Sequence, residues 1–103
     1  MSTPGCWFEI YAEPHFHGTQ KLRFDGPAEI ANLGDHPWPD GGDSTDDTQS
    51  VITGPNTWVI AYEDENFGDN EIHFGPGESH PDLSQLGWKD QIDSFKIFDH
   101  KPW

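Results

Sequence analysis

The sequence is poor in three features whose scarcity excludes whole classes of protein. Its single cysteine among 103 residues excludes a disulfide framework and a thiolate zinc site. Its five lysines and arginines face nineteen aspartates and glutamates, and the resulting net charge of −14 repels nucleic acids and anionic lipids. No apolar run approaches the roughly 18 residues of a membrane helix. We therefore expect neither nucleic acid nor membrane as a partner.

The N-terminus also lacks a recognisable secretion signal. Residues 1–4 read Met-Ser-Thr-Pro and resemble no such signal. Together with the single cysteine, this favours a cytoplasmic location by default, although a trimmed exported protein would have the same sequence. No nucleophile elbow, phosphate-binding loop or convincing Ser-His-Asp arrangement is present, so we do not expect an enzyme.

Aromatic residues and turn-forming residues are abundant instead. Seven Phe, five Trp and two Tyr can supply a core that the few aliphatic residues could not supply alone. Eleven Gly and nine Pro are typical of many short strands joined by turns. The length fits one domain, over residues 1–103.

An aromatic pattern occurs twice along the chain. A strand-like segment is followed, four residues later, by a Phe that opens a Gly- or Asp-containing bend. The repeated pairs are Trp7 and Trp58, Tyr11 and Tyr62, and Phe16 and Phe67. Each copy closes on an acidic turn before another strand-like segment, at residues 46–51 and 90–95. A repeat of about fifty residues indicates one supersecondary unit used twice.

The pattern predicts an all-β protein with four strands in each half. The clearest strand segments are 6–12, 20–24, 49–53, 58–62, 71–74 and 92–98, with short helical turns at 28–33 and 83–88. Two Greek-key motifs, one over about 6–54 and the other over about 57–99, would pack as an eight-stranded antiparallel β-sandwich. The residues expected to share its core are Trp7, Tyr11, Phe16, Trp58, Tyr62, Phe67, Trp88 and Phe95.

These residues resemble a known family. Tyr11-x4-Phe16-x-Gly18 is similar to the Greek-key signature of the βγ-crystallins, and residues 87–94 look like the closing segment of their second key. The resemblance extends over residues 7–98. It implies a wedge-shaped sandwich and, as in microbial members, two calcium ions at the junction of the keys.

The chain departs from the family pattern at several positions. The family's metal motif is two Asn/Asp, two variable residues, a Ser or Thr, and a Ser. In one alignment Thr45 and Lys89 replace the first acid, and Gln49 and Asp93 hold the fifth position. Lys89 would oppose a cation. The second bend has Asp69 where the family has glycine, and Asp tolerates a positive φ better than most residues.

A second alignment of the first motif is open. It starts at Asp46 and puts Ser50 fifth, but it leaves Val51 where serine is expected. We prefer the first alignment because it matches Ser50 with Ser94.

The resemblance implies a set of oxygen ligands drawn from both keys. In the second motif position, Asp46 and Asp90 would supply carboxylates, and the next residues, Asp47 and Gln91, would supply backbone carbonyls. In the fifth position, the side chains of Gln49 and Asp93 would reach across to the site of the opposite key. A further carbonyl would come from near Glu13 or Asp64 in the facing bend. Calcium takes six to eight oxygen ligands in flexible geometry, which suits such turns.

The expected function is therefore a calcium-binding domain whose fold the ion stabilises. The alternative is a structural or stress-related crystallin-like protein with degenerate, weak or lost metal sites, whose acids serve solubility. Some secreted inhibitors and toxins share this fold, but they are typically rich in cysteine, so the single cysteine argues against this class. We expect a monomer, and the sequence identifies no protein partner.

Histidines and two tryptophans offer further hypotheses. His15, His17 and His73 would have to converge to bind zinc, and scattered surface histidines are the favoured interpretation. Trp38, in an insertion over residues 35–44, and Trp103 do not fit the core pattern. They would either stack on a sugar or partner, or cover a loop or a sheet end.

Overall fold

Short strands rich in aromatic and β-branched residues make up most of the regular structure. The structure, a computed structural model, describes residues 3–45 and 47–103. Its strands are β1 Trp7–Tyr11, β2 Lys21–Asp25, β3 Ala28–Ile30, β4 Ser50–Thr53, β5 Trp58–Tyr62, β6 Glu71–Phe74, β7 Ser79–His80 and β8 Ser94–Phe98. Its short 3₁₀ helices are Pro14–Phe16, Leu33–Asp35, Glu65–Phe67 and Leu83–Leu86. No helix in this part of the chain is long and apolar enough to cross a membrane.

The strands form two four-stranded antiparallel sheets whose third strands are exchanged between the halves. One sheet has the order β2-β1-β4-β7, and the other has the order β3-β8-β5-β6. Strand β3 of the first half pairs with β8 of the second, and β7 of the second half pairs with β4 of the first. The predicted all-β sandwich of two Greek keys is confirmed. The residue limits of the two keys stay a prediction.

Two of the eight strands were not among the segments that the sequence predicts. Ala28–Ile30 is a strand where a helical turn was expected over 28–33, and the 3₁₀ helix begins only at Leu33. Strand β7, Ser79–His80, had no predicted counterpart. Both are short and are held by pairing with strands distant in the sequence, which local propensity does not encode.

The core lies between the two sheets and is shared by both halves. Phe8 and Ile10 of β1 and Val59 and Ala61 of β5 are fully buried, because they occupy alternate, inward-facing positions of their strands. Phe95 of β8 meets Phe8 edge to face, with ring centroids 5.0 Å apart. This aromatic contact joins one sheet to the other.

The prediction that the repeated tryptophans belong to the buried core is wrong. Trp7 and Trp58 are half-buried and precede the inward-facing Phe8 and Val59, so they lie on the outer faces of the sheets. Trp7 instead packs under the guanidinium of Arg23, 5.0 Å from the ring centroid.

The remaining predicted core aromatics divide into two groups. Phe95 is fully buried, and Trp88 is partly buried against the core. The two Phe of the bends are half-buried, and each packs on the repeated tyrosine of its own half. Their ring centroids are 5.4 Å apart for Tyr11 and Phe16, and 5.6 Å apart for Tyr62 and Phe67.

Candidate metal centre

The bends after β1 and β5 have the same backbone conformation. In the first bend His15 and Phe16 have φ of 60° and 57°, and in the second Asn66 and Phe67 have φ of 56° and 61°. Asp69, which takes the place of the family's glycine, also has a left-handed φ of 64°. The bend therefore forms with aspartate there, as predicted.

A serine ties each bend to the closing turn of its own key. Ser50 Oγ donates to the Glu13 carbonyl at 2.7 Å, and Ser94 Oγ donates to the Asp64 carbonyl at 2.5 Å. Each hydroxyl also accepts a backbone N–H from the bend's Phe. The two serines have equivalent roles, which supports the alignment that matches Ser50 with Ser94.

The residue before each serine links the two keys. The Gln49 N–H donates to the Tyr11 carbonyl in its own key, and its carbonyl accepts from the Leu83 N–H of the other key, both at 2.9 Å. In the second key, the Asp93 N–H donates to the Tyr62 carbonyl at 3.0 Å, and the Asp93 carbonyl accepts from the Leu33 N–H of the first key at 2.9 Å. The fifth motif positions thus lie where the two keys meet.

Asp90 lies against the closing turn of the opposite key. Its backbone has a left-handed φ of 58°, and its N–H donates to the Thr48 carbonyl at 3.0 Å. Asp90 Oδ1 and Thr48 Oγ1 are both buried without a hydrogen-bond partner among the described residues. A buried carboxylate oxygen without a donor is costly, and a cation would satisfy it.

The electrostatics at this junction also favour a cation. Burial raises the pKa of the Asp90 carboxyl, and the negative charge of Asp47 raises it further, while the Lys89 ammonium lowers it. At neutral pH the junction therefore concentrates negative charge that Lys89 offsets only in part.

Asp82, on the loop facing the first bend, is perturbed in the opposite direction. Hydrogen bonds from the Ser84 hydroxyl and backbone N–H lower the pKa of its carboxyl, with smaller contributions from His15 and Lys89. Its carboxylate caps the Leu83–Leu86 3₁₀ helix. The Asp82 carboxylate thus has a structural role as the cap of this helix.

The Asp47 carboxylate accepts a hydrogen bond from another side chain of the protein. Trp38 Nε1 donates to Asp47 Oδ2 at 2.8 Å, and Trp38 is only 4% exposed. Trp38 therefore belongs to the core, and the suggestion that it stacks on a sugar or an external partner is wrong. Trp103, which is 43% exposed, stacks on His73 with ring centroids 4.4 Å apart.

The predicted ligands are distributed over two places. The bonds described above bring Glu13, Gln49, Asp90 and its neighbour Gln91 to one side of the junction between the keys. Asp64 and Asp93 lie on the equivalent other side, where the Asp93 carbonyl accepts from the Leu33 N–H, and Asp47 belongs to the first closing turn. The predicted ligand Asp46 lies outside the described residues.

The described residues contain no cluster of three or more His, Cys, Asp or Glu side chains arranged to hold a metal. The zinc hypothesis for His15, His17 and His73 therefore gains no support. The implied calcium ligands differ in kind, because several of them are backbone carbonyls and one is an amide.

Sequence reasoning missed the contributions of Trp38, Thr48 and Asp82. Asp82 had a detectable signal, because Asp82-Leu83-Ser84 parallels Asn32-Leu33-Gly34 and both acceptors cap a 3₁₀ helix. Thr48 had no such signal, because its role depends on the contact with Asp90.

Comparisons with known proteins bear on the fold. No protein-family profile matches the chain, and no curated protein matches it in sequence. Solved structures do match, and over nearly the whole chain. One, concerned with the evolution of the eye lens βγ-crystallin domain fold, has a TM-score of 0.80 at 20% identity and covers 98% of this chain and 93% of its own. The fold is that of a βγ-crystallin domain.

Other βγ-crystallin domains give the same result. A βγ-crystallin from Ciona intestinalis has a TM-score of 0.71 at 22% identity, covering 89% of this chain and 99% of its own. A βγ-crystallin domain from Clostridium beijerinckii has a TM-score of 0.71 at 17% identity, covering 90% of this chain and 98% of its own. The resemblance found in the aromatic repeat is thus confirmed for the βγ-crystallin fold.

Proposed function

We propose that the protein is a calcium-binding domain of the βγ-crystallin fold, in which ions at the junction of the two keys stabilise the folded chain. The observation that carries this proposal is the environment of Asp90. Its backbone N–H is bonded to the Thr48 carbonyl of the other key's closing turn, and one of its carboxylate oxygens is buried with no described donor to satisfy it. The charge of −14 also favours cation binding over anion binding.

The first proposed site combines residues of both keys. Asp90 would supply a carboxylate, Gln91 a backbone carbonyl, Gln49 its side-chain oxygen and Glu13 a backbone carbonyl. Ser50 holds the Glu13 carbonyl at the closing turn, and the Asp90 N–H holds the second turn at Thr48. The ion, when bound, supplies positive charge that neutralises the junction and cross-links the keys.

The second proposed site is the equivalent arrangement on the other side. Asp46 would supply a carboxylate, Asp47 a backbone carbonyl, Asp93 a crossing side chain and Asp64 a backbone carbonyl. The Ser94 hydroxyl holds the Asp64 carbonyl as Ser50 holds that of Glu13. The Trp38 hydrogen bond to the Asp47 carboxylate is compatible with a carbonyl role for Asp47.

One specific observation favours the alternative, a structural protein with weakened sites. The Lys89 ammonium acts on Asp90, and Lys89 stands where the family motif has an acid. A tethered cation close to the carboxylate would compete with calcium and lower its affinity.

Thermal denaturation separates the two functions. We expect the melting temperature to be higher in millimolar Ca²⁺ than in EDTA, because an ion that binds only the folded state adds about 2.7 kcal/mol at a hundredfold excess over its Kd. Magnesium should raise it less, since Mg²⁺ requires strict octahedral geometry and loses water reluctantly. Equal melting temperatures in EDTA and Ca²⁺ would favour the structural role.

A further inference from the structure

The insertion over residues 35–44 folds into a loop with its own internal bonds. The backbone N–H of Trp38 donates to the Gly42 carbonyl at 2.8 Å. Ser44 is fully buried, and its hydroxyl donates to the Leu33 carbonyl at 2.8 Å. The loop is therefore anchored to the body of the protein at its end, and its conformation directs Trp38 inward.

The Trp38 side chain of this loop reaches the first closing turn. Trp38 packs in the hydrophobic core, and its Nε1–H donates to Asp47 Oδ2 at 2.8 Å. A hydrogen bond to a carboxylate is stronger than one between neutral groups, and this donor is buried and cannot exchange readily with water. Two residues after Asp47, Gln49 makes the backbone bonds that link the keys.

We propose that Trp38 is a positioning residue, which fixes the first closing turn through Asp47 and so prepares the surface on which Asp90 rests. The turn held in this way carries the Thr48 carbonyl that receives the Asp90 N–H. The bond also directs the Asp47 carboxylate toward the indole, leaving the backbone carbonyl for an ion. The consequence for metal affinity rests on the proposed calcium function, whereas the effect on the turn does not.

The effect on the turn is measured in the metal-free protein by amide hydrogen exchange. Trp38→Phe keeps an aromatic ring in the core and removes only the N–H donor. We expect exchange at the Asp90 and Gln49 amides to accelerate about tenfold, the size expected for a lost charge-assisted hydrogen bond. Amides of β5 and β8 should accelerate less.

Variants of Asp47 test the same bond from the acceptor side. Asp47→Ala should reproduce the acceleration, and the Trp38→Phe/Asp47→Ala double variant should add little to either single change, because both remove one interaction. Asp47→Asn keeps an acceptor oxygen and should retain most of the protection. Uniform acceleration over the whole sheet in Trp38→Phe, or full additivity in the double variant, would overturn the proposal.

Calcium titration tests the consequence for the site. We expect Trp38→Phe to weaken calcium binding about tenfold, the low end of the effect of losing a group that orients a ligand. An unchanged or tighter Kd in Trp38→Phe would overturn the role of Trp38 toward the metal. If the wild-type protein binds no calcium, the proposed function fails, and the exchange measurements still decide whether Trp38 positions the turn.

Discussion

Replacing Phe95 with alanine is expected to lower the free energy of unfolding by about 3–5 kcal/mol. Phe95 is fully buried, and its ring packs edge to face on Phe8 and Phe24, with centroids 5.0 and 4.9 Å away. Alanine would remove these contacts and leave a cavity between the sheets. Because small domains are stable by only about 5–15 kcal/mol, the loss would be a large share of the total.

Urea denaturation measures this loss, and Trp58→Ala is the matched control. Trp58 is the larger side chain, but it is half-buried on the outer face of its sheet, so its truncation should cost less than that of Phe95. If Phe95→Ala does not fold, Phe95→Leu should show a smaller loss of the same sign. A greater loss for Trp58→Ala than for Phe95→Ala would contradict the assignment of inner and outer faces.

Replacing Asp90 with asparagine is expected to raise the stability of the metal-free protein and to lower the stability that calcium adds. Without metal, the change removes a partly buried negative charge and its repulsion by Asp47. We expect a gain of about 1 kcal/mol, because a neutral amide costs less to desolvate than a carboxylate. With calcium, the same change removes the charge of a ligand but keeps an oxygen, so it should weaken one of the two binding events.

The pH dependence of the metal-free effect has a defined sign. The pKa of Asp90 in the folded protein is raised from the ordinary value of 3.8. Below that value the carboxyl is protonated in both the folded and unfolded states, so Asp90→Asn should change stability little. As the pH rises from 3.8 to the raised pKa, the unfolded wild type ionises before the folded protein does, so the advantage of Asp90→Asn should grow over this range and level off above the raised pKa.

Asp69→Asn is the matched control for this experiment. It removes one negative charge from an exposed residue, and Asn tolerates the left-handed backbone at that position. Melting curves in EDTA and in Ca²⁺ should change little for Asp69→Asn. A calcium-induced rise in melting temperature that is as large in Asp90→Asn as in the wild type would contradict the ligand assignment.

The sequence predicted the architecture because the signals for it are local and repeated. Alternating strands followed by a Phe-containing bend recur in both halves, and the strands at 58–62 and 71–74 were predicted to the residue. The two shortest strands were missed, because their pairing partners come from the other half of the chain.

The direction of the tryptophans was predicted wrongly for a physical reason. Spacing between aromatics does not say which alternate positions of a strand face inward. In β1 the charged Glu9 lies between Phe8 and Ile10, which indicates that those two face the core. In β5 every residue is apolar or aromatic, so the sequence alone leaves both faces possible.

The candidate site was predictable in part. The two acidic turns and their serines are adjacent in the sequence, and their equivalence follows from the repeat. The contact of Asp90 with Thr48 and the bond from Trp38 to Asp47 depend on how the keys and the insertion pack. Such contacts join residues that no short motif relates.

Calorimetric titration of the chelator-treated protein with Ca²⁺ measures directly whether the folded chain binds calcium and how many ions it takes. We expect saturable heats with two ions bound per chain in the wild type, and one fewer in Asp90→Ala, which removes the carboxylate ligand altogether. Magnesium should compete poorly. If circular dichroism shows the wild type to be folded and its titration gives no saturable heat, the proposal that the domain binds calcium is contradicted.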